Sequence, residues 1–103
     1  MENILAVVVT YNRINDLKLC INSLRNQAYR DFDILIVNNG STDGTKEFVD
    51  SLEDIIVIHQ DNLGGAGGFF AGQKYMMEKG YDWIWMMDDD GIADRNQLLH
   101  LVE

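Results

Sequence analysis

Four short apolar runs, separated by segments with helical spacing, limit most strongly what this chain can fold into. In chain order they are Ile4 to Val9, Asp33 to Val37, Ile55 to Ile58, and Trp83 to Met87. Each run is nearly continuous rather than alternating, and the first three are rich in valine and isoleucine. Strands with this pattern are typical of parallel sheets that are covered on both faces.

Between the runs, apolar residues recur with the period of a helix. From Ile14 to Ala28 they follow the three–four spacing of one helix face. Phe48 to Leu52 predicts a shorter helix, and Phe69 to Met77 predicts a third one that ends at Gly80. Asp94 to Val102 predicts a last helix. The alternation predicts an α/β fold, a parallel doubly wound sheet of about four strands with flanking helices.

The charge balance excludes nucleic acid as a partner. Seventeen acidic and eight basic residues give a formal net charge of −9, and the basic residues form no stripe. Such a chain repels DNA and RNA. A nucleoside diphosphate can still bind if a divalent cation lies between the negative groups. With Cys20 as the only cysteine and no apolar leader, we expect a soluble cytoplasmic domain.

Polar residues follow each of the four apolar runs. They are Thr10 to Asn12, Asn38 to Ser41, His59 to Asn62, and Asp88 to Asp90. In parallel α/β sheets, ligands bind beyond the carboxyl ends of the strands. We therefore expect these four segments to converge on one rim of the sheet and to form a binding site there.

The aspartate triplet at residues 88–90 predicts a metal site. Adjacent carboxylates repel each other, and a hard divalent cation such as Mg²⁺ or Mn²⁺ relieves that repulsion. In an extended segment Asp88 and Asp90 point the same way, and Asp89 points to the other face. Asp88 and Asp90 are therefore the predicted metal ligands. The alternative is a solvated acidic turn that caps the next helix.

The glycine-rich stretch from Asn62 to Gly72 allows two interpretations. Glycines such as Gly65 let a phosphate or a sugar approach backbone amides at a helix start. The stretch is not a P-loop, and Phe70 stands where the dinucleotide fingerprint needs a glycine. A flexible loop with tight helix packing explains the composition equally well.

Taken together, three segments resemble family 2 of the glycosyltransferases, which have the GT-A fold. They are Val7 to Arg13, Ile36 to Thr45, and the aspartate triplet, in the family's order and at a familiar spacing. The resemblance covers essentially the whole chain. Asn62 to Phe69 and Trp83 to Asp90 are most similar to the rhamnosyltransferase and galactofuranosyltransferase branches.

The resemblance implies a nucleoside-diphosphate sugar as donor, linked to UDP or dTDP, and Mn²⁺ or Mg²⁺ as cofactor. Thr10 and Tyr11 would line the nucleobase and ribose pocket, and Asn38 or Asn39 would bond the base edge. Asp90 would be the main metal ligand. The nucleotide-sugar contacts expected in this way are Thr10, Tyr11, Asn12, Arg13, Asn38, Asn39, Gly65, Asp88 and Asp89.

The resemblance also implies an inverting transfer of the sugar to a glycan or lipid-linked hydroxyl, as in cell wall polysaccharide synthesis. In this family the catalytic base lies well downstream of the acidic triplet, and we expect it beyond Glu103. Residues 1–103 would then be the donor-binding, N-terminal part of a longer chain and inactive alone. Association of the full protein with the inner membrane face stays open.

Two other functions stay open at this point. The segment from Met87 to Gly91 also fits the Asp-x-Asp-Gly pattern of haloacid-dehalogenase-like phosphatases, with Asp88 as nucleophile and Asp90 as acid/base. A non-catalytic nucleotide-binding module is the other. Among the remaining residues, Trp83 and Trp85 are predicted to pack in the core and not to stack on a base. Cys20 is predicted to be a small, buried apolar side chain.

Overall fold

A computed structural model of the chain describes residues 3–62 and 64–91. Strands and helices alternate along this part of the chain. They are β1 (Ile4–Thr10), α1 (Ile14–Arg25), β2 (Asp33–Asn39), α2 (Thr45–Asp50), β3 (Ile56–Gln60), α3 (Gly64–Lys79) and β4 (Trp83–Asp88). All four predicted strands and three predicted helices are confirmed. The predicted last helix, Asp94 to Val102, lies outside the described residues.

The four strands form one parallel sheet in the order β3-β2-β1-β4, which confirms the predicted fold class. β1 pairs with β2 on one edge and with β4 on the other. In this register Thr10 lies beside Asn38, and Val9 lies beside Asp88. Because every strand runs the same way, the polar residues that follow the strands lie along one edge of the sheet.

Both faces of the sheet are covered, which explains why the strand sequences are nearly continuous apolar runs. Ala6 and Val8 point into a core that includes Leu17 of α1 and Val49 of α2. Leu5 and Val7 of β1 point into a second core, against which α3 packs. Successive side chains of a strand point to opposite faces, so both sets must be apolar.

Helix α3 begins at Gly64, five residues before the predicted start, and its buried side differs from the predicted one. Phe70 and Met77, both expected on the apolar face, are 67% and 81% exposed. Ala71 and Tyr75 pack against the second core instead. The glycines in the first turns have poor helix propensity, so sequence spacing alone places the helix start too late.

Two glycines let α3 lie directly on β1. A Cβ atom on Gly68 would stand 2.3 Å from Cγ1 of Val9, and one on Gly72 would stand 2.6 Å from Cγ1 of Val7. Real Cβ atoms do not approach so closely. The tight packing expected for the glycine-rich stretch is therefore confirmed, whereas the flexible loop expected with it is wrong for residues 64–72, which are helical.

The two tryptophans of β4 have different surroundings. Trp85 packs against the first core and meets Phe32 edge to face, with ring centroids 6.3 Å apart. Trp83 is exposed, so the core prediction is wrong for this residue. It is the first residue of an outer strand of the described sheet, where the helical layer covers less of the strand.

Cys20 is fully buried, as predicted. Its sulfur lies 3.6 Å from Sδ of Met87, so it helps to pack α1 against β4. Burial raises the pKa of the Cys20 thiol to about 11, which keeps it protonated at neutral pH. Within the described ranges, no helix has the length and apolar character that crossing a bilayer requires.

The Gly72→Ala substitution tests the contact between α3 and β1. We expect it to lower the free energy of unfolding by about 1–2 kcal/mol, because overpacking costs about 1–3 kcal/mol and helix propensity returns at most about 1 kcal/mol. Chemical denaturation measures this change. Val7→Ala removes the methyl groups that the new Cβ meets, so the double variant should lose less stability than the sum of the two single losses.

Gln73→Ala is the matched control for this test. Gln73 is the exposed neighbour of Gly72 in the same helix, so its replacement should leave stability unchanged or slightly higher. Strictly additive losses in the Gly72 and Val7 variants would contradict the close contact.

Candidate functional site

The carboxyl ends of the four strands open into one cleft of about 460 Å³, a size typical of small-ligand sites. Each strand end and the start of α3 contribute to its walls, which confirms that the polar segments converge. The lining residues are Val9, Thr10, Tyr11, Arg13, Asn39, Asn62, Gly64, Phe69, Asp88, Asp89 and Asp90.

The aspartate triplet lines this cleft, but not as an extended segment. β4 ends at Asp88, and a turn follows in which the backbone N–H of Gly91 donates to the carbonyl oxygen of Asp88 at 2.9 Å. Asp88 and Asp90 are exposed, whereas Asp89 is only 8% exposed. Two of the carboxylates thus face solvent and one is buried, and a turn produces this division instead of the extended segment that the sequence predicted.

Asp89 joins the ends of β1 and β4. Its Oδ2 atom accepts a hydrogen bond of 3.0 Å from Oγ1 of Thr10, and both side chains are buried. Burial raises the pKa of Asp89 above its ordinary value, while the Thr10 hydrogen bond and the charge of Arg13 act in the opposite direction. Asp89 therefore fixes the turn that carries Asp88 and Asp90.

Arg13 is a cation inside the cleft. It directly precedes α1, and its Nε atom lies 4.0 Å from Oδ1 of Asp89. Its Nη1 atom lies 3.6 Å from Oδ2 of Asp90. Two expectations exist for this residue, a phosphate or base contact implied by the resemblance and an ordinary surface residue at a helix start. Its exposed position directly before α1 agrees with the second, and it also lies beside two of the three carboxylates.

Asn12 and Asn38 both support the loops around the cleft. Asn12 has a left-handed backbone with φ of 51°, and its Oδ1 accepts from the backbone N–H of Thr42 at 2.6 Å. Its own N–H donates to Oγ of Ser41 at 3.0 Å. Asn38 is buried. Its Oδ1 accepts from the backbone N–H of Ser41 at 3.2 Å, and its Nδ2 lies 3.1 Å from Nδ1 of His59. These contacts join the β1–α1 and β2–α2 loops.

Asn39 lines the cleft and fixes the start of α3. Its amide nitrogen donates to the carbonyl oxygen of Gly64 at 2.9 Å and to Oδ1 of Asn62 at 3.2 Å. Its oxygen accepts from Nε2 of Gln60 at 3.1 Å. Gly65 lies in the first helical turn beside Gly64. The amide of Asn39 therefore connects the end of β2 to the glycine-rich segment.

Two aromatic residues face the cleft. Tyr11, at the end of β1, was predicted to do so and has an exposed ring. Phe69 was assigned to the buried face of α3, but it lines the cleft instead. The only sequence signal for Phe69 is its position directly after the glycines. An aromatic face can stack on a nucleobase or on the apolar side of a sugar.

The carboxylates of the cleft suit a hard cation that is shared with a phosphate ligand. Mg²⁺ is typically bound through one or two protein carboxylates, with phosphate oxygens and water completing its octahedron. Asp88 and Asp90 supply two such groups. Among residues 3–62 and 64–91, no three His, Cys, Asp or Glu side chains are grouped as a metal site.

Asp43 is a structural residue of this region that sequence reasoning did not single out. Its carboxylate accepts from the backbone N–H of Ile14, at 3.1 Å, and from the N–H and hydroxyl of Thr45, at 3.2 and 2.5 Å. It thus caps α1 and α2 together. The hydrogen bond from the Thr45 hydroxyl is the main reason why the pKa of Asp43 is lowered from 3.8.

Comparison with known proteins identifies the family. The sequence matches Glycosyl transferase family 2 over residues 5–103. The chain belongs to this family. It is 37% identical over 105 residues to undecaprenyl-phosphate mannosyltransferase of Micrococcus luteus, covering 97% of the chain and 43% of that protein. It is 34% identical over 102 residues to galactofuranosyltransferase GlfT1 of Mycobacterium tuberculosis, covering 95% and 34%.

Solved structures confirm the fold. Mannosyltransferase PcManGT from Pyrobaculum calidifontis, in complex with GDP-Man and Mn²⁺, superposes with a TM-score of 0.77 at 18% identity, covering 96% of this chain and 31% of that one. S. aureus TarS in complex with UDP gives 0.77 at 23% identity, covering 99% and 31%. This family 2 domain spans less than half of each of these proteins. The family assignment favours the glycosyltransferase interpretation over the phosphatase.

Replacing Asp43 tests the double cap. Asp43→Ala should lower the thermal midpoint at neutral pH by about 4–8 °C, because loss of a cap costs about 1 kcal/mol. Asp43→Asn keeps an acceptor and should lose less. Because the folded pKa is lowered, the contribution of the charge is full above pH 3.8 and disappears as the pH falls through the folded pKa.

The difference between wild type and Asp43→Asn should therefore narrow in acid, as thermal melts at several pH values would show. Asp31→Asn, in the loop before β2, is the control for removal of one exposed negative charge. A difference in thermal midpoint between wild type and Asp43→Asn that grows as the pH is lowered would contradict the assigned role of Asp43.

Proposed function

We propose that this chain is the donor-binding domain of a metal-dependent, inverting glycosyltransferase that uses a nucleoside-diphosphate sugar. The observation that carries the proposal is the cleft at the strand ends, which holds exposed carboxylates, a guanidinium and aromatic side chains together. These are the groups that a diphosphate, a nucleobase and a sugar require. The solved relatives support the ligand class, since TarS binds UDP and UDP-GlcNAc and PcManGT binds GDP-Man.

The nucleotide would lie along the ends of β1 and β2. Tyr11 and Phe69 offer aromatic faces to the base or sugar, and the buried Thr10 supports the floor of the cleft. We assign Asn39, which lines the cleft, to the edge of the base. Its hydrogen bonds with Gly64 of α3 and Gln60 of β3 hold its amide group in one orientation. UDP or dTDP is the donor nucleotide we propose.

The diphosphate would lie over the aspartate triplet. We assign Asp90 as the main ligand of Mn²⁺ or Mg²⁺ and Asp88 as a second ligand that also lies near the ribose or donor sugar. A bound cation would neutralise the negative charge that develops on the departing diphosphate. The Mn²⁺ in the PcManGT complex supports this cofactor class. The protein's own contribution is to keep both carboxylates on a turn that the buried Asp89 fixes.

The acceptor would be a glycan or lipid-linked hydroxyl that attacks the anomeric carbon from the side opposite the diphosphate. The donor we propose is a hexosyl donor, galactofuranosyl or rhamnosyl, and the galactofuranosyltransferase among the relatives supports the first of these. The catalytic base and the acceptor site belong, in this proposal, to a segment outside residues 1–103. The full protein would then act at the inner membrane face, while this domain alone binds the donor without transferring it.

Calorimetric titration of the chain with UDP, dTDP and GDP, with and without Mn²⁺, tests the proposal. We expect one nucleotide to bind, and to bind at least about tenfold more tightly with Mn²⁺. Asp90→Ala should remove the Mn²⁺-dependent gain, because it deletes the main ligand. Asp31→Ala, at the opposite edge of the sheet, should retain it.

Equal binding in the presence and absence of Mn²⁺ would contradict the metal assignment. Failure of all three nucleotides to bind would contradict the proposal that residues 1–103 bind the donor. Robust sugar transfer by the 103-residue chain, measured with donor and acceptor, would contradict the division of the enzyme into two parts.

A further inference from the structure

The two carboxylates beside Arg13 differ in their freedom to move. Asp89 is held by Thr10, and its side chain is only 11% exposed, whereas the side chain of Asp90 is 59% exposed. Arg13 contacts the first through Nε at 4.0 Å and the second through Nη1 at 3.6 Å. Neither distance is that of a hydrogen bond, so Arg13 has one ion-pair partner whose own position is fixed, Asp89, and one solvated partner, Asp90.

The contact with Asp90 is weak. At 3.6 Å it is longer than a hydrogen bond, and both side chains are more than half exposed, so solvent screens the attraction. The guanidinium has five N–H donors in a rigid fork. Because both of its contacts in the cleft are long, the guanidinium of Arg13 can turn to a second partner there.

We propose that Arg13 is an internal counter-cation of the aspartate triplet, and that it exchanges Asp90 for the donor diphosphate when a divalent cation binds. The inference rests on the proposed function. Arg13 is in this role a positioning residue, because it neutralises the carboxylates of the nucleotide-free cleft and then orients the phosphates.

Electrostatics gives this exchange a direction. A divalent cation at Asp90 removes the attraction between that carboxylate and Arg13 and repels the guanidinium. A diphosphate brings new negative oxygens into the cleft that Arg13 lines, and the guanidinium fork matches phosphate oxygens in a bidentate way. The remaining ion pair with the less exposed Asp89 is screened less by solvent, which favours a position of Arg13 within the cleft.

The exchange has a consequence that a purely structural role does not share. In the nucleotide-free protein Arg13 competes with the cation for Asp90, so removing its charge strengthens cation binding. In the ternary complex Arg13 binds the diphosphate, so removing the same charge weakens nucleotide binding. The two affinities must therefore move in opposite directions.

Arg13→Gln in the 103-residue chain tests this inference. Mn²⁺ binding without nucleotide, measured by electron paramagnetic resonance, should become tighter by at least about threefold. UDP binding at saturating Mn²⁺, measured by calorimetry, should become weaker by about tenfold. Arg13→Lys keeps the charge but loses the fork, so Mn²⁺ affinity should stay near that of wild type while UDP affinity falls.

Arg30→Gln is the matched control, because Arg30 lies before β2 at the opposite edge of the sheet and its replacement removes the same charge. It should change both affinities much less than Arg13→Gln does. Thermal melts of each variant check that it is folded under the conditions of the binding measurements.

An Arg13→Gln variant whose Mn²⁺ affinity without nucleotide equals that of Arg30→Gln, or falls below that of wild type, would overturn the inference. If wild type binds no Mn²⁺ either alone or with UDP, the proposed cation site itself is overturned, and this inference with it. The two failures are therefore distinguishable in the same experiment.

Discussion

The position of β1 is the constraint on which the rest of the structure depends. It is paired with a parallel strand on each side and is buried on both faces. Its side chains therefore pack against α1 and α2 on one face and against α3 on the other. Gly68 and Gly72 bring α3 into direct contact with this strand. Because the neighbouring strands run in the same direction, the polar residues at their carboxyl ends must meet above β1. The cleft is a direct consequence of that arrangement.

Charge repulsion within the aspartate triplet shapes the cleft next. Three consecutive carboxylates cannot all be buried at the end of a strand without large desolvation costs. The structure buries one of them, Asp89, with a hydroxyl donor from Thr10 and a guanidinium nearby, and leaves Asp88 and Asp90 in contact with solvent. The same division separates a residue that holds the turn from residues that can meet a ligand.

Sequence patterns predicted the strands well and α3 poorly, for a physical reason. A strand that is buried on both faces has a short, continuous apolar sequence. Runs as short as these indicate strands, because a buried helix requires a longer apolar segment. In α3 two glycines lie directly against β1, with Tyr75 and Met76 packing further along the helix, while the large side chains Phe70 and Met77 are exposed. Close packing reverses the usual relation between side-chain size and burial, and hydrophobic spacing cannot reveal that reversal.

By itself the sequence determined the parallel α/β fold, the family and the four polar segments that form the cleft, since these follow from local periodicity and motif order. Only the tertiary structure decided which aspartate is buried, where Arg13 lies, and how Asn12 and Asn39 are used in the loops. Thr10 and Asp89 are 79 positions apart in the chain, yet they share one hydrogen bond. Such a pairing depends on strand order and register, which residue spacing along the chain does not encode.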